Sequence, residues 1–104
     1  MKQYFTKDTL TIKLSLIVGC ILMENITPEE LYKIIGKNVA KHRKTKNMSQ
    51  LALSLEMGYK SVSVVSGCEV CYNNKHFNLE QLLKISQILD VKLCDLLSPE
   101  QTNK

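Results

Sequence analysis

Apolar residues recur at helical spacing in the stretch that begins at Thr27. Thr27 can cap a helix, Pro28 suits its first position, and Glu30 lies three residues after the threonine, which is the spacing of a capping box. One face of the stretch that follows is apolar and consists of Leu31, Ile34, Ile35, Val39 and His42. This pattern predicts a helix that ends at about residues 44–47 and buries one stripe.

A short second helix, a turn and a third helix are predicted next. Ser49 can cap a helix over residues 50–55, and Gly58 can take the left-handed conformation that turns the chain after the helix ends. We predict the third helix over residues 59–66. Its valines and serines are poor helix formers, so its helical state is expected to depend on packing.

Two further helices complete the predicted array. Asn78 and Gln81 form a capping pattern in front of a wide apolar face. That face consists of Leu79, Leu82, Leu83, Ile85, Ile88 and Leu89. A short fifth helix, stopped by Ser98 and Pro99, is indicated by Val91, Leu93, Leu96 and Leu97. Since the five apolar stripes can share one core, we predict a compact all-α domain over residues 25–98, with a frayed tail at 99–104.

Residues 1–24 are predicted to be an extension of this domain. The apolar run from Leu10 to Met23 is interrupted by Lys13 and is too short to cross a bilayer. Polar and apolar residues alternate strictly over residues 9–16, which predicts a β-strand. Such a strand could pair with its copy in a second subunit as a dimer-forming arm. The alternative is that Met23 is the natural start of the domain.

Composition and charge narrow the function. The chain has 104 residues, of which 44% are hydrophobic and 23% charged, as in an ordinary single globular domain. The net charge is +4, but its distribution is uneven, because five of the ten residues from Lys37 to Lys46 are basic and none is acidic. A basic cluster of this kind is typical of a protein that binds the phosphate backbone of nucleic acid. The alternative is a solvated helix face.

The four cysteines are Cys20, Cys68, Cys71 and Cys94. Without a convincing secretory signal, we expect reduced thiols in a cytoplasmic protein. Cys68 and Cys71 have the spacing of a metal-ligand pair that His76 and Cys94 could complete, but a strong zinc pattern needs a second close pair. We therefore expect no metal or cofactor, with Cys94 packed as a small apolar side chain. Since no carboxylate pair, catalytic triad pattern or phosphate loop is present, we predict that the protein is not an enzyme.

The order of these parts resembles the lambda-repressor and Cro-like (XRE-type) helix-turn-helix family over about residues 31–97. The resemblance consists of a basic first helix, Ser49 and Gln50 opening the second helix, the turn at Gly58, and a closing helix followed by Asp90 and Val91. The chain departs from the family's pattern in two ways. Leu53 and Leu55 make the second helix more apolar than is usual in the family. The segment over residues 67–77 is longer than the family's common loop, and Glu69 is displaced by about one position.

The resemblance implies roles for particular residues, since in this architecture the third helix lies in the major groove and the second crosses the DNA backbone. The expected base contacts are Lys60, Ser61, Ser63 and Val64, with Ser66 a weaker candidate. The expected backbone contacts are Gln50, Arg43, Lys44, Lys46 and Tyr59. For Tyr59 a packing role is an equal alternative, and Val62 and Val65 are expected to face the core.

The resemblance further implies a sequence-specific regulator of transcription, with a repressor favoured. One copy has few base-reading side chains, so we expect a homodimer on a roughly palindromic operator of double-stranded DNA, with no membrane partner. The alternative function is an antitoxin-like or accessory module that uses the same fold to hold a protein partner.

Overall fold

A computed structural model of the chain describes residues 25–99. Within this range the chain forms five α-helices, joined by short turns, and no β-strand. The helices are α1 (Pro28–Thr45), α2 (Gln50–Glu56), α3 (Ser63–Val70), α4 (Leu79–Leu89) and α5 (Leu93–Leu97), with a 3-10 turn at Tyr72–Asn74. The prediction of an all-helical domain with five helices is therefore confirmed. The predicted strand and the tail beyond Pro99 lie outside the described residues.

Local hydrogen bonds fix the starts of three helices. The Glu30 amide donates to Thr27 Oγ1 at 3.1 Å and the Thr27 amide donates to Glu30 Oε1 at 2.9 Å, which is the predicted capping box. The Ala52 amide donates to Ser49 Oγ at 2.9 Å, and the Gln81 amide donates to Asn78 Oδ1 at 2.8 Å. These caps place the starts of α1, α2 and α4 where the sequence predicted them.

The third helix differs from its prediction at both ends. It begins at Ser63, four residues later than expected, and continues to Val70 through the start of the segment predicted as a loop. No side chain caps its N-terminus, and its end is set by Cys71, which adopts a left-handed backbone with φ of 57°. The chain then makes the 3-10 turn before α4. The predicted long loop at residues 67–77 is thus partly helical.

All five helices contribute to one core. Its buried side chains are Ile35, Val39, Leu53, Met57, Val65, Cys68, Phe77, Leu82, Ile85, Leu89 and Leu96. The apolar face of α4 is narrower than predicted, because Leu79 and Leu83 are 72% and 49% exposed. The remaining predicted positions on that face are buried or half-buried.

Helix α1 is the central element and packs against α3 and α5. Gly36 allows the close approach to α3, since a Cβ atom there would overlap the carbonyl oxygen of Glu69. At α5, the buried Asn38 side chain donates from Nδ2 to the carbonyl oxygens of Leu96 at 2.9 Å and Ser98 at 2.6 Å. These contacts hold α3 and α5 against α1. None of the helices described is long and apolar enough to cross a membrane.

Candidate nucleic-acid interface

Helices α2 and α3 are joined by a tight turn at Gly58. Gly58 has φ of +96°, as the sequence predicted, and its amide donates to the Leu55 carbonyl oxygen at 3.0 Å. The Tyr59 amide donates to the Ser54 carbonyl oxygen at 3.0 Å, which closes the end of α2. Helix α3 packs against both α2 and α1, so its orientation is set by two neighbours.

The segment that leads into α3 is exposed. Lys60, Ser61 and Ser63 are all exposed, as their predicted contact with bases requires. The Ser61 and Ser63 hydroxyl oxygens lie 3.0 Å apart and share a hydrogen bond. Ser66, the weaker candidate, is half-buried and its hydroxyl donates to the Ser63 carbonyl oxygen at 3.3 Å. The structure thus presents a lysine and two serines together at the N-terminus of α3.

The valines of this segment are arranged differently from the prediction. Val65 is fully buried, as expected, but Val62 is 36% exposed and Val64 is half-buried against the core. The prediction had Val62 in the core and Val64 in the groove. The prediction was wrong because it assumed one continuous helix over residues 59–66. Residues 59–62 are not helical, so their side chains do not follow the helical period of α3. Among Val62, Val64 and Val65, the side chain of Val62 is the most exposed.

Arg43 does not lie where the sequence placed it. We expected it to bind DNA phosphate, but it is 7% exposed and forms an ion pair with Glu69. Arg43 Nε donates to Glu69 Oε2 at 2.8 Å, Nη2 donates to Oε1 at 3.1 Å, and Nη1 donates to the Met48 carbonyl oxygen at 2.9 Å. The guanidinium is therefore occupied inside the protein, where it ties α1 to α3. We withdraw Arg43 from the backbone-contact residues.

Gln50 joins the same network. Its Nε2 atom donates to Glu69 Oε1 at 2.8 Å, so the first residue of α2 braces the last turn of α3. The sequence predicted Gln50 as a DNA backbone contact and did not indicate Glu69 as its partner. Glu69 is itself buried, with 7% of its surface exposed. The sequence signal that could have identified it as the partner is that it is an isolated acidic residue among apolar residues in the third helix.

The other predicted backbone contacts differ in exposure. Lys44 and Lys46 are exposed at the C-terminal end of α1. Tyr59 is half-buried against the core, and its hydroxyl oxygen accepts a hydrogen bond from Gln81 Nε2 at 2.9 Å. This position favours the packing alternative for Tyr59, although its phenolic proton is not used in that bond.

The cysteines do not assemble a metal site in the described part of the chain, where no group of three or more His, Cys, Asp or Glu side chains is placed to hold an ion. Cys68 is buried, Cys71 is half-buried and Cys94 is exposed, so the prediction that Cys94 packs inside is wrong. Burial raises the pKa of the Cys68 thiol, Cys71 adds to this effect, and the nearby Lys75 ammonium opposes it.

Comparisons with known proteins do not identify a relative: no protein family, no curated protein and no solved structure matches this chain. A functional assignment therefore depends on the residues and geometry described above.

Proposed function

We propose that this protein binds double-stranded DNA through a helix-turn-helix formed by α2 and α3, in the manner of the lambda-repressor and Cro-like family. The observation that carries the proposal is the exposed edge formed by Lys60, Ser61 and Ser63 at the start of a helix whose opposite side is buried. A helix held in this way can enter the major groove without losing its contacts with the core.

The chemistry of that edge suits base edges. A lysine can donate to the O6 and N7 acceptors of guanine, and serine hydroxyls can both donate and accept. Val62 adds an exposed apolar group at the same place, which can contact a thymine methyl. Readout by these groups is limited, because a lysine and two serines supply fewer specific hydrogen bonds than arginine or asparagine would.

Cations flank the short helix α2. With seven residues, α2 is about 10 Å long, and Lys44 and Lys46 precede its start while Lys60 follows its end. In this architecture the second helix crosses the DNA backbone while the third enters the major groove, so cations next to the start of α2 can reach phosphates. Lys44 and Lys46 are thus the proposed phosphate contacts.

A homodimer follows from the limited readout. Two copies on half-sites about 34 Å apart would double the base contacts and make the operator roughly palindromic. Binding at such an operator would regulate transcription. A DNA-binding domain of this kind would act as a repressor by occupying a promoter.

A protein-binding role is the second candidate function, and exposed leucines favour it. Leu51 and Leu55 lie four residues apart on α2 and are 48% and 54% exposed. Residues four apart are neighbours on a helix face, and a contiguous exposed apolar patch is typical of a surface that contacts another protein. An antitoxin-like or accessory module would use this face for its partner.

The test is a fluorescence-polarisation titration of labelled random duplex DNA at two salt concentrations. Wild type is compared with Lys60→Ala, with Lys44→Ala and with Lys84→Ala, an exposed lysine of α4 outside the proposed interface. We expect Lys44→Ala to lower the slope of log affinity against log salt by about 0.9, the value for one phosphate contact. Lys60→Ala should weaken binding by about tenfold, and Lys84→Ala should leave it unchanged within about twofold.

Two results would contradict the proposal. One is a folded wild type that does not bind duplex DNA at low salt. The other is an equal loss for all three variants, because a response to net charge alone would mean that α3 does not contact the DNA specifically. In either case the leucine face of α2 becomes the first place to search for a protein partner.

A further inference from the structure

A cavity opens between the first turns of α1 and the turn that follows α3. Its volume is about 390 Å³, which lies within the range of about 300–1,000 Å³ found for small-molecule sites. The DNA-binding proposal uses none of the residues that line it. The cavity lies near the C-terminal end of α3, whereas Ser63 lies at the N-terminal end of that helix. Because an eight-residue helix is about 12 Å long, a molecule bound in the cavity leaves Ser63 accessible.

Two lysines from different elements line this cavity. Lys33 comes from α1 and Lys75 from the segment before α4. Among residues 25–99, no hydrogen bond or ion pair occupies either ammonium group. Glu29 also lines the cavity, so the lysines leave a net positive charge at its walls. Asn74 adds an amide that can donate to an oxygen atom. This donor set suits an anion.

The remaining wall is aromatic. Tyr32 and His76 both line the cavity, and their rings are stacked in parallel with centroids 3.7 Å apart and an angle of 1° between their planes. A paired aromatic surface of this kind can stack on or pack against another planar ring. Inorganic anions gain nothing from such a surface.

The backbone of the turn is also unusual. Cys71, Asn73 and Asn74 have positive φ angles of 57°, 52° and 62°. Left-handed backbone is unfavourable for residues other than glycine, and asparagine tolerates it better than cysteine does. Two of these three residues, Cys71 and Asn74, line the cavity.

We propose that this cavity binds a small organic anion that carries a phosphate or carboxylate group on a planar ring. The two ammonium groups and the Asn74 amide hold the anionic group, and the Tyr32 and His76 rings contact the planar part. The site makes no use of DNA, so it stands or falls independently of the function proposed above.

The test is a ¹H–¹⁵N NMR titration of the full chain, without DNA, with four probes. Phenyl phosphate and benzoate carry a ring and an anionic group, inorganic phosphate lacks the ring, and benzyl alcohol lacks the charge. We expect amide shifts confined to residues 29–33 and 71–76 with phenyl phosphate, benzoate or both, and at least about tenfold weaker binding of inorganic phosphate and benzyl alcohol. Which of the two ring probes binds more tightly identifies the anionic group.

Cys71 supplies a second readout. It lines the cavity and is half-buried, whereas Cys94 is exposed on α5. A bound probe should slow alkylation of Cys71 by iodoacetamide at least about fivefold at saturation, as measured by peptide mass spectrometry. Cys94, as the internal control, should react at an unchanged rate.

Variants of the charged residues complete the test. Lys33→Ala and Lys75→Ala should each weaken the tighter ring probe about five- to tenfold, since each removes one charge-assisted hydrogen bond. Glu29→Gln should strengthen it by about two- to threefold by removing a like charge, and Lys84→Ala is the matched control that should change nothing. Wild-type affinity in folded Lys33→Ala and Lys75→Ala would overturn the proposal, as would inorganic phosphate or benzyl alcohol binding as tightly as the ring probes, or no binding of either ring probe.

Discussion

The buried ion pair between Arg43 and Glu69 gives the sharpest test of the fold. The carboxylate of Glu69 accepts three hydrogen bonds, two from Arg43 at 2.8 and 3.1 Å and one from Gln50 at 2.8 Å. Both charged residues are 7% exposed. Glu69→Ala would leave the Arg43 guanidinium buried with the Met48 carbonyl as its remaining partner.

The expected loss is large because an unpaired buried charge is costly. Removing one partner of a buried pair destabilises a protein by about 3–5 kcal/mol, whereas replacing both partners by apolar residues of similar volume is often neutral. We therefore expect Glu69→Ala to lower the free energy of unfolding by about 3–5 kcal/mol. The double variant Arg43→Met/Glu69→Met should lie within about 2 kcal/mol of wild type, with Gln50 losing one hydrogen bond.

Urea denaturation followed by circular dichroism at 222 nm measures these values. Because a whole domain is stabilised by only about 5–15 kcal/mol, Glu69→Gln serves as a milder second variant with an expected loss of about 1.5–3 kcal/mol. Glu56→Ala removes an exposed acid from α2 and should change stability by less than about 0.5 kcal/mol. A loss below about 1 kcal/mol for Glu69→Ala, or additive effects in the double variant, would refute the reasoning.

The double variant also separates the two roles considered for Arg43. If Arg43 acts only inside the protein, the folded Arg43→Met/Glu69→Met variant binds duplex DNA with the salt dependence of wild type. A reduction of about 0.9 in the slope of log affinity against log salt would instead indicate that Arg43 contacts a DNA phosphate.

Three smaller changes test other parts of the fold by the same urea measurement. Ser54 is fully buried and its hydroxyl has no hydrogen-bond partner among the described residues, so Ser54→Ala should stabilise the protein by about 1 kcal/mol; a loss would mean that the hydroxyl has a partner. Gly36→Ala should destabilise by about 2–3 kcal/mol, because the new methyl group would overlap the Glu69 carbonyl, and an unchanged midpoint would show that α1 and α3 can separate freely. Asp90 ends α4 with φ of 57°, so Asp90→Gly should stabilise by about 0.5–1 kcal/mol by relieving the left-handed strain and removing an acid from a helix C-terminus, and a decrease in stability would contradict this.

Most helix boundaries were predictable because their signals are local. Thr27, Ser49 and Asn78 each accept a hydrogen bond from an amide three residues later, so the sequence spacing alone indicates the cap. Gly58 is equally local, since its positive φ depends on the absence of a side chain. Signals of this kind do not require knowledge of which helices pack together.

The start of α3 and the partner of Arg43 were not predictable from local signals. Helix α3 has no side-chain cap and weak intrinsic propensity, so its first turn is decided by packing against α1 and α2. Arg43 lies in a basic run, but it follows the buried Ile35 and Val39 at intervals of four residues, so helical spacing places it on the packed side of α1. Its partner was not predictable, because Glu69 is 26 residues away in the sequence.

The contacts that anchor α3 have a consequence for the proposed DNA binding. The edge at Lys60 and Ser63 is positioned by α3, and α3 is held at its far end by the Glu69 carboxylate and by the close contact with Gly36. If the protein binds DNA as proposed, a substitution at Gly36 or Glu69 would weaken that binding without any contact with DNA, by loosening the helix that carries the edge. Such an indirect effect lowers stability and affinity together, whereas loss of a direct contact at the exposed Lys60 lowers affinity alone. Measuring both quantities for each variant thus distinguishes residues that touch DNA from residues that position the helix.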